Sequence, residues 1–368
     1  MRYGLSLFPV LEPEEKSAAD YFDESLRLVE LAERLGYDHV QIVEHYLGGY
    51  GGYSPDPTTF LAAAAMRTSR IRLITGAVIP AFTHPLQLAG KLAMLDNLSH
   101  GRLGVGFGRA FLPAEFETFE VDIDTSRDRF TAGIEACRRL WSETDVRVDD
   151  GFHRFGPITS LPRTVQRPHP PIYFASAMSP ETCAAAGRAG YHVQVVPTVT
   201  SLARLQEMLD AYRKGWAESG GEPGAADIQV KYVCYLGEDR AEVLRTAEEL
   251  ERNYIAKMTA VVAGWAATRS TAYAGYEQLA DKVAQYDFAA SHRDDKVLAG
   301  TPADVAEQLG RIRERLGSDI TVSCVFNPGY LPLAQAERAV RLFAEEVVPT
   351  ITGEPGRAPA AGLPAGGA

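Results

Sequence analysis

Residues 71–107, IRLITGAVIPAFTHPLQLAGKLAMLDNLSHGRLGVGF, contain the pattern that decides the fold. The apolar run Ile71–Val78 predicts one strand, and Leu103–Phe107 predicts the next. Between them, His84–Leu98 predicts a helix. Two apolar strands joined by a helix form the repeating unit of a parallel α/β fold.

This unit repeats in both directions along the chain. Eight strands that alternate with helices favour a single (β/α)8 TIM barrel of the α/β class, and an open doubly wound sheet is the alternative. The other predicted strands are Tyr3–Phe8, His39–Val43, Ile172–Ala175, His192–Val196, Ile228–Leu236 and Ile320–Phe326. The other predicted helices are Asp20–Leu35, Asp56–Thr68, Arg127–Ser142, Ser179–Ala189, Ser201–Ser219, one from Asp239, Thr301–Leu316 and Leu333–Thr350.

The predicted barrel domain covers residues 1–352 and has two insertions. Residues 145–171 combine an alternating run, a turn at Asp149-Asp-Gly151 and several prolines, which predicts a hairpin ahead of the fifth strand. Residues 258–299 have weak periodicity, and so long an irregular stretch predicts a lid or binding loop. The Pro, Gly and Ala residues of 353–368 predict a disordered tail.

Composition excludes several classes of function. The formal net charge of −11 argues against a nucleic-acid or anionic-membrane partner, because phosphates are attracted by basic surfaces. No apolar run approaches the length of a membrane span. The four cysteines are widely spaced and the N-terminus has no leader pattern, so we expect a cytoplasmic protein with reduced thiols.

Common cofactor and metal motifs are absent from the sequence. Gly104–Gly108 lacks the last glycine of a dinucleotide fingerprint and follows the fourth strand rather than the first. There is no P-loop, no GxSxG elbow and no His-x-His pair that could begin a metal site. The sequence therefore predicts no metal, and places function at the ends of the strands instead.

Polar residues at the C-terminal ends of barrel strands lie at the mouth where barrel enzymes bind substrate. Glu44 and His45 end the second predicted strand, so His45 is a candidate proton donor or acceptor and Glu44 a candidate residue to orient it. A structural histidine is the alternative interpretation. The loop after it contains Tyr46, Tyr50 and Tyr53 among paired glycines, and predicts either an aromatic substrate wall or a flexible surface loop.

Three further candidates follow later strands. Arg109 and Arg127 lie beyond the fourth strand, where they could bind a phosphate or form surface salt bridges. Ser179 begins a helix, and helix N-termini bind phosphate through free N–H groups, although a plain cap is the alternative. His84, after the third strand, is either a substrate contact or a helix-entry residue.

The order and spacing of these motifs resembles bacterial luciferase-like monooxygenases. The resemblance covers nearly all of residues 1–350 and is strongest in 36–130. The motifs that carry it are Glu44-His45, Thr75–Pro80 with His84-Pro85, Leu95–Arg102, Gly106–Arg109, Ser126-Arg127 and Ala175–Ala186.

The resemblance implies a site for reduced FMN at the mouth of the barrel. It places His45 beside flavin and substrate, and it matches Gly76-Ala77 to a non-proline cis peptide that supports the isoalloxazine ring. The other residues that it assigns to the flavin and its phosphate are Gly108, Arg109, Arg127, Ser176, Ala177, Ser179 and Gln194. Two of these positions depart from luciferase itself, since Gly108 and Ser176 stand where luciferase has cysteine and glutamate; light emission is therefore not expected.

The resemblance also implies a mechanism and partners. A separate reductase would deliver reduced FMN as a diffusible co-substrate, oxygen would give a flavin-4a hydroperoxide, and a small organic substrate would be oxygenated. A homodimer through the helices of 56–68 and 84–98 is expected. A 5-deazaflavin-dependent oxidoreductase on the same fold and a non-catalytic flavin-binding protein are the alternatives. The aromatic residues predict an apolar substrate of some size, without identifying it.

Overall fold

The computed structural model describes residues 1–353, so the predicted tail, apart from Gly353, lies outside the described residues. Its strands are short and most belong to one parallel sheet. They are β1 (Arg2–Leu7), β2 (His39–Ile42), β3 (Arg72–Thr75), β4 (Leu103–Phe107), β5 (Val146–Asp149), β6 (Arg154–Ile158), β7 (Ile172–Ser176), β8 (His192–Val195), β9 (Ile228–Leu236), β10 (Leu298–Gly300) and β11 (Ile320–Val325).

Eight of these strands close into a parallel barrel, as predicted. Around the barrel the order is β9-β11-β1-β2-β3-β4-β7-β8, and a pairing of β8 with β9 closes the ring. The ninth strand of the sheet, β10, pairs only with the C-terminal end of β9. The structure is thus the (β/α)8 TIM barrel expected, and the open sheet is ruled out.

Helices surround the barrel and cover its apolar outer face. Side chains cap several of them, such as Asp56 for the second helix and a capping box of Thr301 with Asp304 for a later one. The helices are α1 (Ala18–Arg34), α2 (Pro57–Arg67), α3 (Pro85–Leu98), α4 (Pro113–Thr118), α5 (Ser126–Ser142), α6 (Pro180–Arg188), α7 (Leu202–Glu218), α8 (Arg240–Val262), α9 (Leu279–Ala284), α10 (Phe288–Arg293), α11 (Pro302–Leu316), α12 (Leu333–Leu342) and α13 (Val348–Thr352). Over residues 1–353, no helix is both long and apolar enough to cross a membrane.

The insertions differ from the prediction in detail. Residues 145–171 contain the antiparallel β5–β6 hairpin. The stretch 258–299 is more ordered than its weak periodicity suggested, because α8 continues to Val262 and α9, α10 and the start of β10 follow. The six-residue α4 was not predicted, and β3 ends at Thr75 rather than at Val78.

A layer of charged and hydroxyl side chains closes the N-terminal end of the barrel interior. Asp227, at the entry to β9, accepts hydrogen bonds from Thr321 Oγ1 at 2.7 Å and Tyr173 Oη at 2.8 Å. It also pairs with Arg2 at 2.9 Å and Arg72 at 3.0 Å. We call these five residues the basal ion layer. They join β1, β3, β7 and β11 to Asp227, whose pKa is lowered by the two arginines against the opposing effect of burial.

The basal ion layer predicts a stability defect that spares the other end of the barrel. Asp227→Asn removes the buried negative charge that accepts from Arg2, Arg72, Tyr173 and Thr321, although Arg72 keeps Asp38. It should lower the free energy of unfolding by about 2–3 kcal/mol. Urea unfolding measures this. The matched control is Asp319→Asn, which breaks an exposed pair with Arg213 and should cost less than about 1 kcal/mol. Equal losses for the two variants would contradict the role given to this layer.

Candidate active site

A cavity of about 660 Å³ opens at the C-terminal ends of the barrel strands. Its walls come from strand ends and from the loops that follow them, which is where barrel enzymes bind their ligands. Most of the predicted site residues line it: Glu44, His45, Tyr50, Gly76, Ala77, Gly108, Arg109, Arg127, Ser176, Ala177, Ser179 and Gln194.

His45 lies in the cavity wall after β2 and is almost fully buried. Its Nδ1 is 3.1 Å from Oε1 of Glu115, a carboxylate on α4 that also accepts the backbone N–H of Tyr46 at 3.1 Å. The rings of Phe8 and Phe111 pack edge-on against the imidazole. Because Nδ1 is hydrogen-bonded to Glu115, Nε2 is the ring nitrogen that is available for proton exchange.

Glu44 does not orient His45, which corrects the sequence-based hypothesis. Neighbouring side chains in extended chain point to opposite sides, and the Glu44 carboxyl is directed to other groups. It accepts the Tyr46 hydroxyl at 2.6 Å and the N–H of Ile79 at 3.2 Å. Burial raises the pKa of Glu44 to about 8. Glu44 thus ties the loop after β2 to the loop after β3, and Glu115 is the partner of the histidine.

The peptide bond between Gly76 and Ala77 is cis, which confirms the prediction for this position. Both residues line the cavity. Small residues surround them for steric reasons: a Cβ on Gly76 would lie 2.5 Å from Gln41 Oε1, and one on Gly108 would lie 3.2 Å from the Cβ of Ala77. The cavity wall at Gly76-Ala77 therefore consists of backbone and one methyl group, and we call it the open backbone.

Three glutamine side chains form the bottom of the cavity, and we call them the amide floor. Gln194 Nε2 lies 3.2 Å from Gln41 Oε1 and 3.1 Å from Gln229 Oε1. Gln229 in turn donates to Asp227 of the basal ion layer at 3.2 Å. Gln194 Oε1 is buried and, within residues 1–353, has no hydrogen-bond partner. This oxygen lies against Gly106 of β4, where a Cβ would be 2.5 Å from it, so it is enclosed by the barrel wall.

A positively charged rim lies three strands from His45 around the barrel. Ser179 caps α6 by accepting the N–H of Thr182 at 3.1 Å. Its own hydroxyl donates to Glu181 at 2.9 Å. The pKa of Glu181 is lowered by its own backbone N–H, by the Ser179 hydroxyl, and by the charges of Arg204 and Arg127. We call Ser176, Ser179, Arg127, Arg204 and the start of α6 the cationic corner. Glu181 and Glu207, which pairs with Arg204 at 2.9 Å, offset part of this charge, so Arg127 and the N-terminus of α6 are its main anion-binding groups.

Arg109 does not belong to the cationic corner and instead contacts the segment around Ala272 and Tyr273. Its guanidinium donates to the carbonyl of Ala272 and lies 4.0 Å above the ring of Tyr273. Both residues belong to the first part of the predicted 258–299 lid, and that part lines the cavity through Met258 and residues 271–279. The arginine thus connects the lid segment to the strand end at β4.

Several predicted substrate residues do not line the cavity. Tyr46 packs on Phe119 at a centroid distance of 4.6 Å, and the Tyr53 hydroxyl donates to the carbonyl of Lys16 at 3.0 Å. Only Tyr50 of the three tyrosines faces the cavity, because turns at Gly48 and Gly51 redirect the loop. His84 is exposed and accepts the N–H of Leu86 as the cap of α3, so the helix-entry interpretation holds for it.

Comparison with known proteins identifies the family. The model for luciferase-like monooxygenases matches residues 1–319. The chain belongs to this family.

Two relatives are similar over most of the chain. One is the oxygenase component of a flavin-dependent trigonelline monooxygenase from Acinetobacter baylyi, 32% identical over 69% of this chain and 70% of its own. The other is the crystal structure of monooxygenase RslO1 from Streptomyces bottropensis, with 48% identity and a TM-score of 0.86 over 95% of this chain and 99% of its own.

Other luciferase-like structures share the fold alone. The oxygenating constituent of 3,6-diketocamphane monooxygenase from Pseudomonas putida, in complex with FMN, is 20% identical with a TM-score of 0.78, over 95% of this chain and 99% of its own. A coenzyme F420-dependent reductase from Methanopyrus kandleri has 18% identity and a TM-score of 0.67, over 95% of this chain and 99% of its own.

Two kinds of charged residue at or beside the cavity were not picked out from the sequence pattern. Glu115 and Arg204 lie in first turns of helices, where charged surface residues are so common that they give no signal. Lys231 could have been recognised from the sequence, because a lysine in the middle of the apolar strand Ile228–Leu236 is unusual.

The raised pKa of Glu44 predicts a pH-dependent stability. The folded protein holds a proton at Glu44 that the unfolded chain releases near the ordinary carboxyl pKa of 4.5. The contribution of the protonated Glu44 carboxyl to folding stability is therefore complete below about pH 4.5. It is lost as the pH rises to about 8. Relative to Glu44→Gln, which has no proton to lose, the wild-type protein should lose stability by at most about 1.4 kcal/mol per pH unit over this range. Urea unfolding at several pH values measures the difference, and parallel curves would contradict it.

Proposed function

We propose that the chain is the oxygenase of a two-component flavin monooxygenase. It takes reduced FMN from a separate flavin reductase and uses O2, by way of a flavin-4a hydroperoxide, to oxygenate a small organic substrate. The observation that carries the proposal is one cavity that combines the His45–Glu115 pair, the cis peptide at Gly76-Ala77 and the cationic corner. The oxygenase-component relative supports the need for a reductase.

The residues present fit reduced FMN. The cationic corner would hold the phosphate, through serine hydroxyls, two arginines and the N-terminus of α6. The open backbone at Gly76-Ala77 would support the ring, and Gln194 would line the space beside it. When bound, reduced FMN supplies the two electrons that activate oxygen. One oxygen atom goes to the substrate and the other leaves as water after taking up two protons.

His45 would move one of these protons. Glu115 holds Nδ1 and fixes the orientation of the ring, so that Nε2 gives up or takes a proton at the reacting oxygen. Aromatic and aliphatic side chains exclude water around it, which protects an oxygenated flavin from breakdown. These are Phe8, Tyr50, Phe111, Tyr254, Met258, Tyr273, Tyr276 and Leu279. Such walls suit an apolar substrate.

We also propose that two copies associate through α2 and α3. Met66 on α2 is 71% exposed, and Met94 and Leu98 on α3 are 55% and 42% exposed, which leaves an apolar surface on neighbouring helices. Light scattering should give twice the chain mass for the wild-type protein and the single-chain mass for Met94→Glu. A wild-type protein of single-chain mass would contradict the proposal.

An oxygen pulse tests the proposed function. Protein mixed anaerobically with reduced FMN should give, after the pulse, an oxygenated flavin that lives longer than free flavin does, observed by stopped-flow absorbance. His45→Ala should shorten that lifetime by a factor of about 100 or more, because the proton is no longer held, while Glu115→Gln should have a smaller effect. Tyr53→Phe is the matched control outside the cavity and should behave as wild type.

Each contrary outcome has a definite meaning. Oxidation of bound reduced FMN at the free-flavin rate would contradict an oxygenase and favour a non-catalytic flavin-binding protein. Failure of reduced FMN to bind would favour the 5-deazaflavin alternative, in which the same fold carries out hydride transfer. An unchanged lifetime in His45→Ala would remove the histidine from proton transfer.

A further inference from the structure

Lys231 is the one charged residue that β9 directs into the cavity. Along this strand Val230 and Tyr232 are buried against the helices, whereas Gln229, Lys231 and Val233 line the cavity. This alternation follows from the two-residue repeat of a strand in a barrel wall. Lys231 therefore stands one step above the amide floor, at the level of the open backbone formed by Gly76-Ala77.

Within residues 1–353, no carboxylate neutralises the Lys231 ammonium. It donates to the carbonyl of Gly76 at a long 3.5 Å, and the ring of Phe8 lies 5.9 Å away. In the described part of the chain it makes no salt bridge, although Lys16 pairs with Glu24 and Lys257 with Glu15. Burial lowers the pKa of Lys231 to about 8, and no carboxylate opposes that effect.

An ammonium that is partly buried and has no carboxylate partner gains free energy from an anion that enters the cavity beside it. The neighbouring polar groups are neutral amides and the cis-peptide carbonyl, which offer no negative charge. The cationic corner lies at the rim, after β7 and β8, and its arginines face solvent. The cationic corner and Lys231 are thus two separate positive regions of one cavity. An anion that binds at Lys231 must lie beside Gly76.

We propose that Lys231 is the counter-charge of the reduced flavin ring and makes the protein select reduced over oxidised FMN. The inference rests on the proposed function, because it assumes that the ring lies on Gly76-Ala77. Reduced flavin readily loses a ring proton and spreads the negative charge over N1 and the C2 carbonyl, whereas oxidised flavin is neutral there. The phosphate is the same in both forms, so the cationic corner cannot distinguish them.

This selection suits a flavin that diffuses in and out. An oxygenase that receives reduced FMN from solution must bind it in competition with the oxidised FMN that it releases. A charge that interacts with the ring in one redox state only creates this difference, since a ligand shifts an equilibrium only by its differential affinity. Lys231 is in the cavity wall itself and needs no conformational change to act.

Anaerobic titrations test the inference by binding alone. Dissociation constants for reduced and for oxidised FMN are measured by absorbance or fluorescence for the wild type, Lys231→Met and Lys231→Arg. Lys231→Met should weaken binding of reduced FMN by roughly 10- to 100-fold and of oxidised FMN by less than about threefold. Each tenfold change in that ratio lowers the two-electron potential of bound flavin by about 30 mV. Lys231→Arg should keep most of the preference.

The controls separate the two hypotheses. Lys257→Met removes a lysine outside the cavity and should leave both constants unchanged; Lys231→Gln is a second neutral variant in case Lys231→Met does not fold. A wild-type protein that binds neither form of FMN would overturn the proposed function and this inference with it. A wild-type protein that binds reduced FMN, with variants that lose both redox forms equally or neither, would overturn only the role of Lys231.

Discussion

The rest of the structure depends on a column of polar contacts inside the barrel. Asp227 anchors it in the basal ion layer through Arg2, Arg72, Tyr173 and Thr321. Gln229, two residues later, donates to Asp227 and accepts from Gln194. Interior positions of a small barrel are usually filled by apolar layers. Here they are polar and almost fully paired, so each strand has one register in which its interior groups find partners.

This column also explains where the chemistry lies. It begins with full charges at the closed end, continues as neutral amides, and ends below the cavity with an unpaired amide oxygen on Gln194 and an unneutralised ammonium on Lys231. Within residues 1–353, buried hydroxyls without a hydrogen-bond partner also occur away from the cavity, on Ser6, Tyr21, Ser126, Tyr212 and Tyr232. The His45–Glu115 pair and the cationic corner complete the mouth from the loops and first helical turns that follow the strands.

The fold could be predicted from sequence because its signal is periodic. Eight apolar strands and their capped helices follow from local pattern, and family resemblance gave the cis peptide at Gly76-Ala77 and most cavity residues. The partner of His45 could not be predicted, because adjacency in sequence suggested Glu44 whereas contact in space selects Glu115, seventy residues on. The prediction that Tyr53 and His84 line the cavity was wrong for a related reason. The composition of a loop does not determine which of its side chains face inward.

The central claim is that one cavity holds reduced FMN, with its phosphate at the cationic corner and its ring on Gly76-Ala77. A crystal structure of the protein prepared anaerobically with reduced FMN tests this most directly. The account predicts the phosphate at the N-terminus of α6 beside Ser179 and Arg127, with the ring between His45 and Lys231. Flavin density elsewhere on the barrel, or a ring turned away from Gly76-Ala77, would contradict it.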